Sequence, residues 1–379
     1  MLVLVETRQQ SLHIGLQHIA AAISVKAVSP ILTGVKVHAG SGALTLTASN
    51  ASLSLQYVVP CHPDHLRIHQ EGSTVIPARF FIDIIRSFST DSIVTLKQIE
   101  NQFIRIESDN SVYRLAAMDA SQFPDMHHVA SSAGFSIESV DFKKMVKQVT
   151  FAASTNDSKL ILTGISCQAD LGKLKLVATD GIRLAVRAAD LGSDRSSLAP
   201  AVIVPAKHLS DYSKMLSDRS SATQITVADH IICFSSQNFT MQSLLIQGSF
   251  PSIERLVPKP CSTELTLDAA AFLHAVQRVT LIAQHTPVIG LQISSAEIEL
   301  FANAAEVGDV SAKLEVQAFS GEPLTVFFNG KFMRDILQAI DSEQVYLQLT
   351  GKHKPIIIKP TNSQDALYII TPVRTAHQP

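Results

Sequence analysis

No apolar run in this chain is long enough to span a bilayer. Its start, Met1 to Arg8, lacks the basic segment and small-residue cleavage site of an export signal, and reads as a first β-strand. The four cysteines, Cys61, Cys167, Cys233 and Cys261, include no C-x-x-C pair. That spacing signals neither a zinc site nor a disulfide framework and suits reduced thiols in a cytoplasmic protein. A phosphate-binding glycine loop, a G-x-G-x-x-G, a G-x-S-x-G elbow and an H-E-x-x-H are all missing. Gly40-Ser41-Gly42 reads as a hairpin turn. His127 and His128 are adjacent, so on a strand they point to opposite faces and make a poor metal pair. These absences predict a protein with no catalytic residues, no metal and no cofactor. The formal net charge is −2, so any surface for nucleic acid has to be confined to one face.

What is present is repetition. One pattern of helix, strands and second helix recurs three times at a spacing of about 130 residues. Leu12, Leu16, Ile19 and Ile23 form an i, i+4, i+7, i+11 stripe, repeated by Phe142, Val146, Val149 and Ala153 and again by Phe272, Val276, Val279 and Ala283. Each stripe is one buried helix face. A short turn and a strand follow, carrying Leu32-Thr33-Gly34, Leu162-Thr163-Gly164 and Val288-Ile289-Gly290. A second strand then runs to a polar turn: Ala43 to Ala48 with Ser49-Asn50, Lys173 to Ala178 with Thr179-Asp180, and Ile298 to Ala302 with Asn303. Asp180 resembles a catalytic acid in isolation, but Asn50 and Asn303 cannot ionise, and a turn role accounts for all three.

The second helices carry a repeated polar face: Arg79, Asp83 and Arg86, then Lys207, Asp211 and Lys214, then Lys331, Asp335 and Gln338. Opposite lie Phe81, Ile84, Ile85 and Phe88, then Leu209, Tyr212, Ser213 and Leu216, then Met333, Ile336, Leu337 and Ile340. One such helix is explained by a solvated face with i, i+4 ion pairs; three in register point to a shared cationic surface. Between the helices, runs such as Ser92 to Leu96, Gln224 to Val227 and Gln344 to Leu349 alternate as half-buried antiparallel strands. The expected fold class is α+β, in three similar domains of two helices packed on antiparallel sheets of about eight strands. Phe123-Pro124 and Phe250-Pro251 stop the first two copies at matching places, giving domains 1–127, 128–257 and 258–379.

Thr179-Asp180-Gly181-Ile182-Arg183-Leu184-Ala185 resembles the T-D-x-H-R-L-A segment of the bacterial sliding clamps, the beta subunit of DNA polymerase III. The likeness extends to Ser29-Pro30-Ile31-Leu32-Thr33-Gly34, to Phe250-Pro251 followed by Arg255-Leu256-Val257-Pro258, and to Pro372-Val373-Arg374. It covers essentially the whole chain in order.

The resemblance implies the DNA clamp fold and a head-to-tail homodimeric ring, lined by the helices and walled by strands, that encircles double-stranded DNA without reading its sequence. It implies a processivity factor of DNA replication that tethers the DNA polymerase III catalytic subunit, the clamp loader and other proteins with clamp-binding peptides. The expected DNA-facing cations are Arg79, Arg86, Lys143, Lys147, Lys207, Lys214, Arg278 and Lys331. An implied peptide pocket comprises Leu162, Thr179, Gly181, Ile182, Arg183, Leu184, Pro251, Arg255, Leu256, Ile369, Ile370, Pro372, Val373 and Arg374, with aliphatic walls and arginines that fix the peptide's polar end. Ordinary core is the competing account of its aliphatic members. The implied joint pairs an edge strand near Phe103 to Ile106 with a region around Phe272, Leu281 and Ile282, for which intradomain core is again the alternative. Ile182 in place of the family's histidine, Thr371 before Pro372, and the extension Ala376 to Pro379 depart from the pattern and raise the alternative of a divergent clamp with a restricted partner set. A repeat-built β-rich scaffold without DNA is the remaining alternative; it has no need of matched helical cations.

Overall fold

The structure, a computed structural model, describes residues 3–24, 29–40, 42–62, 65–99, 102–126, 134–192, 198–218, 221–253, 261–283, 287–294, 297–304 and 308–374. His127, His128, Arg255, Leu256, the breaks at 127/128 and 257/258, and the C-terminal extension lie outside these residues.

Four sheets contain every named strand. The first is ordered β5 (Leu66–Gln70), β1 (Leu4–Arg8), β7 (Ile93–Ile99), β8 (Phe103–Ser108) and β9 (Ser111–Ala116). The second runs β10 (Gly134–Glu138), β15 (Ala222–Ala228), β16 (Ile231–Ser236), β17 (Phe239–Leu244), β4 (Leu53–Pro60), β3 (Ala43–Ser49), β2 (Gly34–Gly40) and β6 (Gly72–Pro77). The third runs β14 (Leu198–Pro205), β11 (Gly164–Asp170), β12 (Lys173–Thr179), β13 (Arg183–Asp190), β26 (Ala366–Ile370), β25 (Ile356–Pro360), β24 (Gln344–Leu349), β18 (Thr263–Asp268) and β22 (Ala318–Gly321). The fourth is β21 (Gly308–Leu314), β20 (Ile298–Ala304), β19 (Val288–Ile293) and β23 (Leu324–Asn329).

The chain divides into two compact units, 1–140 with 214–245 and 141–213 with 246–379. Strand pairing gives the reason. The sheet of β10 and β15–β17 in the middle copy continues through β17 and β4 into the first copy, where Phe239 lies opposite Tyr57. Its other sheet, β11–β14, continues through β13 and β26 into the last copy, where Leu184 lies opposite Ile369. The middle repeat is thus shared between the two units, although the sequence repeats three times.

The helices are α1 (Gln9–Ile19), α2 (Ala78–Ser87), α3 (Ser139–Thr150), α4 (Ala206–Met215), α5 (Ala269–Ile282) and α6 (Gly330–Ala339). Leu12, Leu16, Ile19, Phe142, Val146, Val149, Phe272, Val276 and Val279 are all buried, as the stripes require. Of the fourth members, Ala283 is buried as expected, whereas Ile23 and Ala153 are half-buried: α1 and α3 stop before them, and the tighter turns that follow bury Ala22 and Ala152 instead. Helices α5 and α6 start on side-chain caps. Asp268 Oδ1 accepts from the Ala271 amide at 2.7 Å, and Asn329 Oδ1 accepts from those of Lys331 and Phe332 at 2.9 and 3.3 Å. Among the described residues no helix is long and apolar enough to cross a membrane.

The repeated glycine opens a strand in two copies, after short 3-10 turns at Pro30–Thr33 and Asp157–Thr163. A Cβ on Gly34 would stand 2.4 Å from Val75 Cγ1, and one on Gly164 2.4 Å from Ile203 Cγ2, so close approach of the neighbouring strand excludes any side chain. Asn50 and Asp180 do occupy turns, but Asn303 does not: it lies inside β20, opposite Asp309. The Phe103–Ile106 segment is also not an edge. It belongs to β8, which is paired on both sides, by β7 and β9; the edge strand on that side of the sheet is β9.

An apolar cluster beside a tight turn and the cationic helix faces

The expected peptide site is built from the Thr179–Arg183 turn and the apolar cluster beside it. Asp180 Oδ1 accepts from the amides of Ile182 and Arg183, both at 2.9 Å, while the Thr179 hydroxyl donates to the Arg183 carbonyl at 2.7 Å. Gly181 sits at φ +93°, which a glycine adopts without strain. The Thr371 amide donates to the Ile182 carbonyl at 2.8 Å, tying the turn to the chain leaving β26. Side chains directly opposite across antiparallel strands share a face. Val177 and Val186 are opposed, as are Leu184 and Ile369, and Val186 and Leu367. With Ile357 they form a buried cluster on which Phe250, Ile253 and Leu367 pack, half-buried.

Of the expected pocket residues, Leu184, Thr179 and Ile369 are buried, Leu162 and Val373 half-buried, and Ile182, Pro251 and Arg374 exposed at the surface. Pro372 is buried. Two belong to the other face of the sheet. Ile370 has no exposed surface and pairs with Arg183, one residue out of phase with Leu184 and Ile369. The Arg183 side chain is correspondingly turned toward α6. Its Nε donates to Asp180 Oδ2 at 3.0 Å and Nη1 to Asp335 Oδ2 at 2.7 Å. The guanidinium lies 4.3 Å from the Phe332 ring centre and 5.4 Å from that of Phe151, and the side chain is 11% exposed. The expectation that this arginine grips a peptide's polar end is therefore corrected: it holds the Thr179–Arg183 turn to α6. On the same face Tyr368 is buried, which pushes its phenol up to about 12.

Sequence reasoning missed Val177, Val186, Ile357, Leu367, Phe250 and Ile253. Val186 and Leu367 were within reach, since each stands two residues from a named wall residue on the same strand face. Asp335, Phe332 and Phe151 had no local signal.

The cationic positions lie where the helical spacing puts them. Arg79, Arg86, Lys147, Lys207, Lys214, Arg278 and Lys331 are exposed and Lys143 is half-buried. Lys207 Nζ lies 2.8 Å from Asp211 Oδ2 and Arg86 Nη1 3.7 Å from Asp83 Oδ1. The third acidic member breaks the pattern, because Asp335 is committed to Arg183 and to Arg334, whose Nη2 is 3.2 Å away. Lys144, absent from the expected set, is exposed on α3 and donates to Asp341 at 2.6 Å, which holds that carboxyl below its usual range. His208, on α4, is buried; desolvation, reinforced by the adjacent Lys207 ammonium, pushes its imidazole down to about 4. Of the expected joint residues, Ile106 and Phe272 are completely buried within their own units, which removes them as contact surface; Phe103 and Ile282 are half-buried and Leu281 is 64% exposed. Among the described residues no group of three or more His, Cys, Asp or Glu is placed to hold a metal ion.

Family models for the DNA polymerase III beta subunit match along the chain: the N-terminal domain over residues 4–127, the central domain over 136–252 and the C-terminal domain over 254–374. The chain is 32% identical over 359 residues to a beta sliding clamp of Staphylococcus aureus, covering 93% of this chain and 94% of that one. It is 30% identical over 370 residues to the beta sliding clamp of Bacillus subtilis, covering 95% and 97%. The crystal structure of the Bacillus subtilis DNA polymerase sliding clamp superposes with a TM-score of 0.95 at 28% identity, over 99% of this chain and 100% of that one.

Proposed function

The chain belongs to the DNA polymerase III beta-subunit family and is a non-catalytic sliding clamp of DNA replication, and we propose that it works as a head-to-tail pair closed around duplex DNA. The observation that carries this is the pattern of strand edges. By the repeat, β9, β17 and β26 are equivalent, as are β4, β13 and β21. β17 is taken by β4 and β26 by β13, whereas β9 and β21 end their sheets. Two copies related by a twofold axis would pair β9 of each with β21 of the other, a heterologous joint that closes and removes both exposed edges. Val112, Tyr113 and Leu281, all exposed in the single chain, are the apolar contacts we assign to it in place of Ile106 and Phe272.

The cations of α2 to α6 then serve as a sequence-independent phosphate surface, in keeping with a net charge of −2. The apolar groove takes short peptides of the replicative polymerase, the clamp loader and other clients by burying Leu and Phe anchors. The working division is three domains, 1–127, 128–257 and 258–379, supported by the spans of the three family models, in a protein that acts in the cytoplasm with the chromosome. Loading the protein onto nicked circular DNA with a clamp loader and ATP tests the proposal. It should stay bound until the circle is cut and then slide off; equal retention on linear and circular DNA overturns it.

A further inference from the structure

The apolar cluster, read above as a peptide groove, has a counterpart in the first copy with its polarity reversed. In the third sheet a row of residues crosses four strands: Ser166 opposite Val177, Val177 opposite Val186, Val186 opposite Leu367. Two residues after the equivalent glycine, the second sheet has Lys36 opposite Thr47, Thr47 opposite Gln56 and Gln56 opposite Thr240. The next row repeats the contrast, with Thr179, Leu184 and Ile369 against Ser49, Ser54 and Gln242. The bordering Phe-Pro is kept as well. Phe250 packs on the apolar groove; Phe123 packs on Ile31, Leu32 and Val75 beside the polar one, and Asp125 stands where the other copy has Ser252.

This second surface holds an open depression of about 380 Å³ lined by Lys36, His38, Thr45, Thr47, Gln56 and Asp125 among others, within the size range of ligand pockets. Its floor is polar and paired internally: Gln56 Nε2 donates to Thr47 Oγ1 at 3.3 Å, and His38 Nδ1 lies 2.7 Å from Ser73 Oγ. A Leu or Phe anchor would leave such groups unsolvated and gains nothing there. The charge is supplied by Lys36, whose side chain is only 20% exposed and whose ammonium lies 6.0 Å from the Phe123 ring centre. Asp125 Oδ1 accepts from it at 2.7 Å, yet that carboxylate side chain is 88% exposed. A sunken cation is thus covered by a solvent-facing carboxylate on the chain segment that follows β9, the position an external carboxylate would take.

We propose that the first copy carries a second peptide groove, for an extended acidic segment of a partner protein, with Lys36 as the anchor for a side-chain carboxylate and Asp125 as its built-in competitor. The peptide assignment rests on reading the apolar groove as a peptide site; the charge preference rests on Lys36 and Asp125 alone. Fluorescence anisotropy with three labelled peptides tests it: Gly-Asp-Ser-Asp-Gln-Gly, the same peptide with Asn for Asp, and a pentapeptide bearing Leu and Phe. The acidic peptide should bind about tenfold more tightly than its Asn form, and Lys36→Met should remove that margin. Asp125→Asn should tighten acidic-peptide binding by releasing Lys36, an effect that a purely structural ion pair would not produce. The Leu and Phe peptide should ignore both changes and respond instead to Val186→Asp; if it fails to bind at all, the apolar-groove reading fails and the charge result still stands or falls by itself. Equal binding of the Asp and Asn peptides, indifference to Asp125→Asn, or loss of binding on Lys207→Ala and Lys331→Ala with Lys36→Met silent would overturn the proposal.

Discussion

Arg183 is the residue whose role changes most between sequence and structure. Counted along β13 from Leu184, it had to face the other side of the sheet; what it meets there, Asp335, lies 152 residues away and has no local signature. Asp83, Asp211 and Asp335 occupy equivalent helical positions, and Asp335 is the one bonded to the Thr179–Arg183 turn. Asp335→Asn should therefore weaken binding of the Leu and Phe peptide several-fold while Asp83→Asn leaves it unchanged, measured by the same titration. Arg183→Ala, which leaves Asp335 with Arg334 alone and Asp180 with its turn amides alone, should cost roughly 2 kcal/mol of unfolding free energy in urea. His208 gives the pH dependence. Its imidazole folds neutral with a pKa lowered to about 4 from 6.5; the unfolded chain therefore binds the extra proton first as pH falls. The contribution is whole above pH 6.5 and is lost as pH drops toward 4, amounting to about 3 kcal/mol at its limit. Urea unfolding at pH 7.5 and 4.5 should show His208→Gln losing less stability on acidification than the unsubstituted protein.

At the scale of elements, the helix stripes were legible because a 3.6-residue period is local, and all three buried their first three members. Their ends were less so: Ile23 and Ala153 continue the period on paper, but the backbone has already tightened into a 3-10 turn. Strands were equally legible as segments, β24 alternating half-buried and buried along its length. Which strand ends a sheet was not. β8 reads as an edge as readily as β9 does, since strand order depends on pairings that no single segment encodes. β9 is exposed or half-buried along its whole length, so charges there should leave the monomer intact. Val112→Glu combined with Leu281→Glu should convert the protein from a dimer to a single folded chain by native mass spectrometry; a dimer that survives both changes removes the proposed joint.

For the whole molecule, the proposed ring predicts that DNA attraction is distributed. Replacing Arg79, Lys207, Arg278 or Lys331 singly by Ala should each lower the slope of log affinity against log salt by about 1, without altering sequence preference. One substitution that abolishes binding would instead indicate a local site. The threefold repeat, the helix faces, the strand segments and the Thr179–Arg183 turn were determined by the sequence alone, because each is written within a few residues by periodicity or turn chemistry. The tertiary structure alone decided that the middle copy is shared between two units, that Arg183 holds its turn to α6 through Asp335, and that one repeated surface is apolar in one copy and polar in another. Those outcomes depend on which strands and side chains meet across long separations, where local pattern carries no information about the partner.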